Sequence, residues 1–263
     1  MTIMEPAIAQ NAKPGQFVVI RIDEKGERIP LTVFDIDKAN GTITIIFQKA
    51  GTSTAKLYEA SAGSELKDVV GPLGKPTHIE KFGKAACVGG GVGAAEAYPG
   101  AKALKAAGNE VTVIIGSRTK ELLILEKELK EASDRLYIAT DDGSYEKKGF
   151  VTDIIKDLFS KGEKFDIVFA VGPVMMMKAV SDLTRQYNIK TIVSLNSNMV
   201  DATGMCGTCR VTVGGEVKFA CVDGPEFDGH LVDFKELVER NNRFLKQERE
   251  SFELFKHKCK LDG

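Results

Sequence analysis

Short β-rich runs alternate with turn residues in the first third of the chain: Phe17-Val-Val-Ile-Arg-Ile22, Leu31-Thr-Val-Phe34 and Thr42-Ile-Thr-Ile-Ile-Phe47. This patterning predicts half-buried strands, and from Gln16 to about Pro76 it describes a small antiparallel β unit, a barrel. After Lys81 the pattern becomes strand, glycine turn, helix, strand. Ala85-Ala-Cys-Val88 runs into Gly89-Gly-Gly-Val-Gly93, then a helical Ala101–Ala107, then Glu110-Val-Thr-Val-Ile-Ile115. That is a βαβ unit and implies a parallel sheet. Strands at Arg135–Ala139, Asp166–Ala170 and Thr191–Ser194 extend it to about Leu195.

A third pattern follows. Arg210-Val-Thr-Val213, the turn Gly214-Gly215 and Glu216-Val-Lys-Phe-Ala-Cys221 read as a hairpin flanked by cysteines. The stretch is too small to fold easily alone, and a metal centre would help it. From Leu231 the chain is helical and charged, with an apolar seam of Leu231, Phe234, Val238, Leu245, Phe252 and Phe255 that packing on its own chain or a partner subunit must cover. The expected organisation is residues 1–78 as the barrel, 79–195 as the α/β domain, 196–230 as a cysteine segment and 231–263 as a helical tail.

Composition narrows the classes. Lys and Arg number 36 against 37 Asp and Glu in 263 residues, a net charge of -1 that argues against a general nucleic-acid binder. The longest apolar run, Ile167 to Met177, is broken by Gly172-Pro173 and falls well short of the roughly 20 residues a spanning helix needs. No membrane association is expected. The start of the sequence has neither a basic nor an apolar leader pattern, so a cytoplasmic setting is expected, with thiols reduced unless they hold a metal.

Three of the 5 cysteines fall within sixteen residues. Cys206-Gly-Thr-Cys209 forms a knuckle, Cys221 returns on the hairpin, and Asp201 stands where the plant-type C-x4-C-x2-C pattern has its first cysteine. Asp201, Cys206, Cys209 and Cys221 thus make a four-ligand set for a [2Fe–2S] cluster, the carboxylate serving one iron much as histidines do in Rieske centres. On spacing alone, structural zinc on a knuckle and hairpin is an equal reading, with Asp201 then an ordinary turn residue. Gly204 and Gly207 would admit backbone amides to the sulfurs. Cys87, in an apolar strand, and Cys259, near the end, read as structural.

Gly89, Gly90, Gly91 and Gly93 stand where a strand turns into a helix, which suits a pyrophosphate at a helix N-terminus, although the spacing is not a clean G-x-G-x-x-G. Asp142-Gly143-Ser144 and Gly172-Pro173 follow later strands and should open onto the same sheet edge. Met175 and Met177 are expected to be core. His78, His230 and His257 stand singly and are read as non-catalytic, which a hydride-transfer enzyme tolerates.

The order of these parts, with Arg28-Ile-Pro-Leu-Thr32, Gly51-Thr52 and Gly71-Pro-Leu-Gly74 ahead of the glycine loop, resembles the ferredoxin-NADP reductase-like superfamily over nearly the whole chain. More narrowly it resembles the branch holding the electron-transfer subunits of dihydroorotate dehydrogenase, sulfide dehydrogenase and NADH-dependent reduced ferredoxin:NADP oxidoreductase. The resemblance implies FAD on the barrel, NAD(H) on the α/β domain and a [2Fe–2S] cluster rather than zinc at the C-terminal end. Pro30, Leu31 and Thr32 would meet the flavin, Thr32 near its reactive nitrogen. Arg28, Gly51 and Thr52 would meet its pyrophosphate, the four loop glycines with Asp142, Gly143 and Ser144 the pyridine nucleotide, and Gly172-Pro173 the nicotinamide.

Hydride from NADH would then leave as single electrons through the cluster to a larger FAD- and [4Fe–4S]-containing subunit in a heterodimer. By resemblance that subunit uses NADPH and ferredoxin in flavin-based electron bifurcation. The alternatives are the same module serving a dihydroorotate or sulfide dehydrogenase, and a zinc-bearing scaffold subunit without redox chemistry. Aspartate at 201 favours the ferredoxin- and sulfide-linked subunits, because the dihydroorotate enzyme's subunit has cysteine there. Arg118 and Lys120 could favour NADPH; the resemblance favours NADH. The chain departs from the family pattern in four places. Arg28 lies one residue early, Val171 replaces a common cysteine, Glu146 replaces a glycine, and the first barrel strand is expected to be short or missing.

Overall fold

The computed structural model describes the backbone of residues 1–261 and the side chains of residues 1–257. The first unit contains β1 (Thr2–Met4), α1 (Pro6–Asn11), β2 (Phe17–Arg21), β3 (Arg28–Asp37), β4 (Thr42–Ile45), α2 (Thr52–Glu59) and β5 (Asp68–Leu73). Its strands lie in the order β1-β4-β3-β2-β5, all antiparallel, as a half-barrel. The first strand is present, three residues long and paired with β4. Ile3, Val18, Ile20, Val33, Ile43, Ile45 and Leu57 close the interior. Side chains on β2 alternate across the sheet, so Phe17 and Val19 leave that interior and pack outward against Cys209 and Cys221.

The second unit runs through β6 (Lys84–Gly90), α3 (Gly93–Ala106), β7 (Glu110–Ser117), α4 (Glu126–Glu131), β8 (Arg135–Thr140), β9 (Lys147–Lys148), α5 (Val151–Ser160), β10 (Ile167–Val171), α6 (Val174–Arg185) and β11 (Lys190–Ser194). These strands pair in parallel in the order β11-β10-β6-β7-β8-β9. Apolar clusters fill both faces, one under α5 and α6 and one under α3 and α4. Because β6 has β7 on one side and β10 on the other, the winding reverses between β6 and β10. Ligands in open α/β sheets bind outside the strand ends at such a point.

The last part contributes the hairpin β12 (Arg210–Val213) and β13 (Glu216–Phe219), then β14 (Glu226–Asp228), which adds antiparallel to β11 at the sheet edge. The hairpin turn is Gly214-Gly215, with φ +61° and +80°, the left-handed pair a type I′ turn requires. α7 (Phe234–Asn241) starts where the Asp233 carboxylate accepts from Glu236 N at 3.0 Å, and it buries Phe234, Leu237 and Arg240. A short turn leads into α8 (Leu245–Leu261). The chain's own barrel takes this tail, through Ser251 and Thr52 hydroxyls 3.0 Å apart. Leu231 and Leu245 stay exposed, so the seam is only partly covered. Among the described residues no helix is long and apolar enough to cross a membrane.

Candidate functional site

The loop from Asp201 to Cys209 is folded by its own polar groups. Asp201 Oδ1 accepts from Thr203 N at 3.0 Å and Oδ2 from Cys206 N at 2.9 Å. These amides, and the Arg28 charge more weakly, hold its carboxyl below the ordinary range. Gly204 and Gly207 take φ of +86° and +68°, which turns the chain tightly enough to present amides inward. Cys209 and Cys221 are buried with their Sγ atoms 3.1 Å apart, and the Gly204 amide is hydrogen-bonded to the Cys221 sulfur. Burial and the neighbouring Cys209 push the Cys221 thiol up to about 12. The Cys206 thiol is exposed and hydrogen-bonded to Thr208, which lowers it, and to Asp201.

Among the described residues no three His, Cys, Asp or Glu side chains stand as a preassembled metal site. The donor chemistry nonetheless fits an iron–sulfur group. Two thiols are in contact, a third thiol and a carboxylate are hydrogen-bonded on the same loop, and an amide already reaches a sulfur.

At the nucleotide edge the glycines divide by role. Gly89 and Gly90 are the last residues of β6. A Cβ on Gly93 would collide with the Val171 carbonyl and lie 2.9 Å from Gly172 Cα, and one on Gly172 would lie 2.9 Å from the Gly90 carbonyl oxygen. Gly90, Gly93 and Gly172 therefore let two turns touch backbone to backbone. Gly91 differs: it is exposed at φ +56° with open space where its Cβ would be, so it leaves room for a ligand. Asp142 Oδ1 accepts from Ser144 N at 3.0 Å and Ser144 Oγ at 2.7 Å, and Ser144 Oγ accepts from Lys120 N at 2.8 Å. This shapes the edge beside β7 and β8. Glu146 keeps the backbone its usual glycine would adopt, at φ +49°. Met177 is fully buried as expected, whereas Met175 is 62% exposed, because the helical turn of α6 aims it outward beyond Pro173.

Between the half-barrel and the sheet's reversal point lies a cleft lined by Thr32, Thr77, Cys87, Glu96, Phe169, Val171 and Glu226 among others. Thr32 pairs with Phe17 across β3 and β2, so one strand separates it from the cysteine-bearing side. Its hydroxyl is hydrogen-bonded to Glu96, whose carboxyl is raised by burial. Glu226, raised by burial as well, accepts from Thr77 Oγ1 at 2.6 Å. The Cys87 thiol goes up to about 12 through burial and then the Glu226 charge, which leaves it inert. Glu96, Thr77 and Glu226 were not among the sequence candidates.

The remaining flavin candidates are spread along the half-barrel: Pro30 and Leu31 beside Thr32 on β3, exposed Arg28 at its start, and Gly51 capping α2. Thr52 already shares a hydrogen bond with Ser251. His78 pairs with Glu80 at 3.1 Å and His230 with the Thr184 hydroxyl at 3.1 Å, and neither histidine lines the cleft. Cys259 lies outside the described side chains.

Known proteins share this arrangement. Residues 87–182 match the oxidoreductase NAD-binding domain family, and residues 196–233 match the iron-sulfur cluster binding domain of dihydroorotate dehydrogenase B. A Thermotoga maritima homolog of the electron transfer subunit of dihydroorotate dehydrogenase B (NAD(+)) is 52% identical over 96% of this chain and 89% of its own. The Geobacillus thermodenitrificans electron transfer subunit of that enzyme is 36% identical over 86% and 89%. The chain belongs to the ferredoxin-NADP reductase-like electron-transfer subunits.

It is an oxidoreductase subunit with an iron–sulfur binding domain and an NAD-binding domain on a ferredoxin-NADP reductase-like fold. A solved structure described under flavin-based electron bifurcation by the NADH-dependent reduced ferredoxin-NADP oxidoreductase superposes with a TM-score of 0.91. It has 51% identity and covers 97% of this chain and 91% of its own.

Proposed function

We propose that this chain takes a hydride from NADH, or returns one, through FAD in the cleft at Thr32. Asp201, Cys206, Cys209 and Cys221 would hold a [2Fe–2S] cluster, which would supply one-electron transfer to a larger subunit. The observation that carries the reading is the placement of β2: Thr32 pairs with one end of it, and Cys209 and Cys221 pack on its outward face. Flavin would supply the exchange between two-electron and one-electron chemistry, and the cluster would carry one electron at a time.

The chain's residues do the positioning. Thr32 offers a hydroxyl held by Glu96 on one side of the cleft. Pro30 and Leu31 give the flavin a wall on β3, while Arg28, Gly51 and Thr52 offer its pyrophosphate a charge, an N-terminal helix cap and a hydroxyl. Of the loop glycines, Gly91 would give the pyridine nucleotide its room, while Gly89, Gly90 and Gly93 pack the turn that carries it and Asp142, Gly143 and Ser144 fix the adjacent edge. Gly172-Pro173 sets the turn beside the nicotinamide. Burial of Cys209 and Cys221 beneath Phe17 and Val19 keeps water from their side of the relay.

The similarity to the structure described for flavin-based bifurcation by the NADH-dependent reduced ferredoxin-NADP oxidoreductase supports bifurcation with ferredoxin and NADP as the overall reaction, and the family resemblance implies a larger FAD- and [4Fe–4S]-containing partner. A dihydroorotate dehydrogenase partner is the second reading, favoured by the domain match at residues 196–233. The test is a visible spectrum of anaerobically purified protein with iron, zinc and flavin quantified. Flavin bands with about two irons per chain support the relay; zinc without flavin overturns it. Assay of the heterodimer with reduced ferredoxin and NADPH, against dihydroorotate, separates the two partners.

A further inference from the structure

Beside the Cys206 knuckle a second pocket is lined by Asn198, Cys206, Gly207, Thr208, Arg210, Arg240, Arg243 and Phe244. Three guanidiniums meet there, from β12, the last turn of α7 and the turn after it. Arg240 is only 8% exposed, and Leu237, one turn earlier on the same face, anchors it to the core. Its Nη2 donates to Thr208 O at 3.0 Å, while its Nε has no hydrogen-bond partner among the described residues.

No carboxylate lines the pocket, and none of the three arginines forms an ion pair among the described residues. Burial, then the charges of Arg210 and Arg243, lower the Arg240 guanidinium, against smaller opposite effects of Glu236 and Cys209. A buried cation crowded by two like charges is costly unless an anion joins it. Guanidinium forks match planar and tetrahedral oxyanions with paired hydrogen bonds, and three positive charges suit a doubly charged one.

We propose that Arg210, Arg240 and Arg243 form a binding site for a phosphate-class oxyanion, separate from the nucleotide cleft. The site stands on these arginines and does not depend on which metal the cysteines hold. Any charge bound there sits beside Cys206, so occupancy is placed to influence the knuckle.

The test is thermal unfolding of the protein as purified, with saturating NADH to fill the nucleotide site, titrated with inorganic phosphate, sulfate or acetate against chloride of equal ionic strength. Phosphate and sulfate are expected to raise the midpoint saturably, and acetate much less. Arg210→Gln and Arg243→Gln, both at exposed positions, should each weaken the phosphate response about tenfold, the size of one charge-assisted hydrogen bond. Arg240 stays in place in these variants because it also packs α7. A phosphate response equal to that of chloride overturns the site. So does one retained in the Arg210→Gln/Arg243→Gln double variant, or tighter saturation by acetate than by phosphate.

Discussion

Asp201 spends both carboxylate oxygens on backbone amides, at 3.0 Å to Thr203 and 2.9 Å to Cys206, and so shapes the knuckle as well as offering a ligand. A carboxylate donates less electron density to iron than a thiolate does, which leaves the oxidised state less stabilised. The Asp201→Cys variant should therefore show a lower cluster potential, on the order of 100 mV. An electron-paramagnetic redox titration checks this, and an equal or higher potential counts against ligation by Asp201.

Glu146 carries a second residue-scale consequence. It holds a left-handed φ of +49° without a glycine's freedom. Such a conformation costs an ordinary residue about 1–2 kcal/mol, partly offset by the greater unfolded-state entropy of glycine. Glu146→Gly should gain about 0.5 kcal/mol in urea unfolding. A loss of stability would mean that the Glu146 side chain holds the loop.

At the scale of elements, the β6–α3 and β10–α6 turns interlock through glycines, so two neighbouring substitutions should fail differently. Gly93→Ala drives a methyl into Val171 and Gly172 and should cost about 1–3 kcal/mol of stability. Gly91→Ala meets no atom but must hold φ +56°, so its stability cost should stay near 1 kcal/mol while NADH affinity falls, because the methyl points into open space at the turn. Urea unfolding and an NADH binding titration on both variants separate packing from ligand approach. Equal loss of affinity without a difference in stability would remove the distinction.

The elements that could be read ahead were those whose signals are local. Gly214-Gly215 fixed its hairpin turn, and strand runs such as Glu110–Ile115 fell within observed strands because apolar runs bounded by turn residues suit a buried parallel sheet. α1 and α2 gave no such signal. They are 6 and 8 residues long, and Thr52-Ser-Thr54 reads as β-branched turn chemistry until Gly51 is seen capping a helix. The α7 stripe turned out to be Phe234, Leu237 and Arg240 instead of Phe234 and Val238, since a helix burying one narrow face can use i, i+3 spacing throughout. Glu96, Thr77, Glu226 and Arg240 were not legible because each matters through partners far away in the chain, as with Thr77 and Glu226, 149 positions apart.

Across the whole molecule, that same bond ties the exit of the half-barrel to the strand that closes the sheet edge. Glu96 fastens α3 to β3, beside a Phe34–Tyr98 stack at 4.7 Å and a Lys102–Asp35 pair at 3.5 Å. The exposed ion pair contributes little, so the stack and the two half-buried carboxyls dominate this junction. Both carboxyls have folded pKa values above their ordinary 4.5 because burial disfavours the charge. Their protonated forms favour folding; the contribution is complete below pH 4.5 and is lost as pH rises through the raised folded values. Glu226→Gln keeps an oxygen to accept from Thr77 yet cannot ionise, and Glu96→Gln does the same toward Thr32. Each variant should lose less stability than the parent between pH 4.5 and neutrality, with a gap on the order of 1 kcal/mol at pH 7. Parallel stability–pH curves for parent and variants would show that these groups ionise without cost, and that the junction is held by the stacked rings and backbone contacts alone.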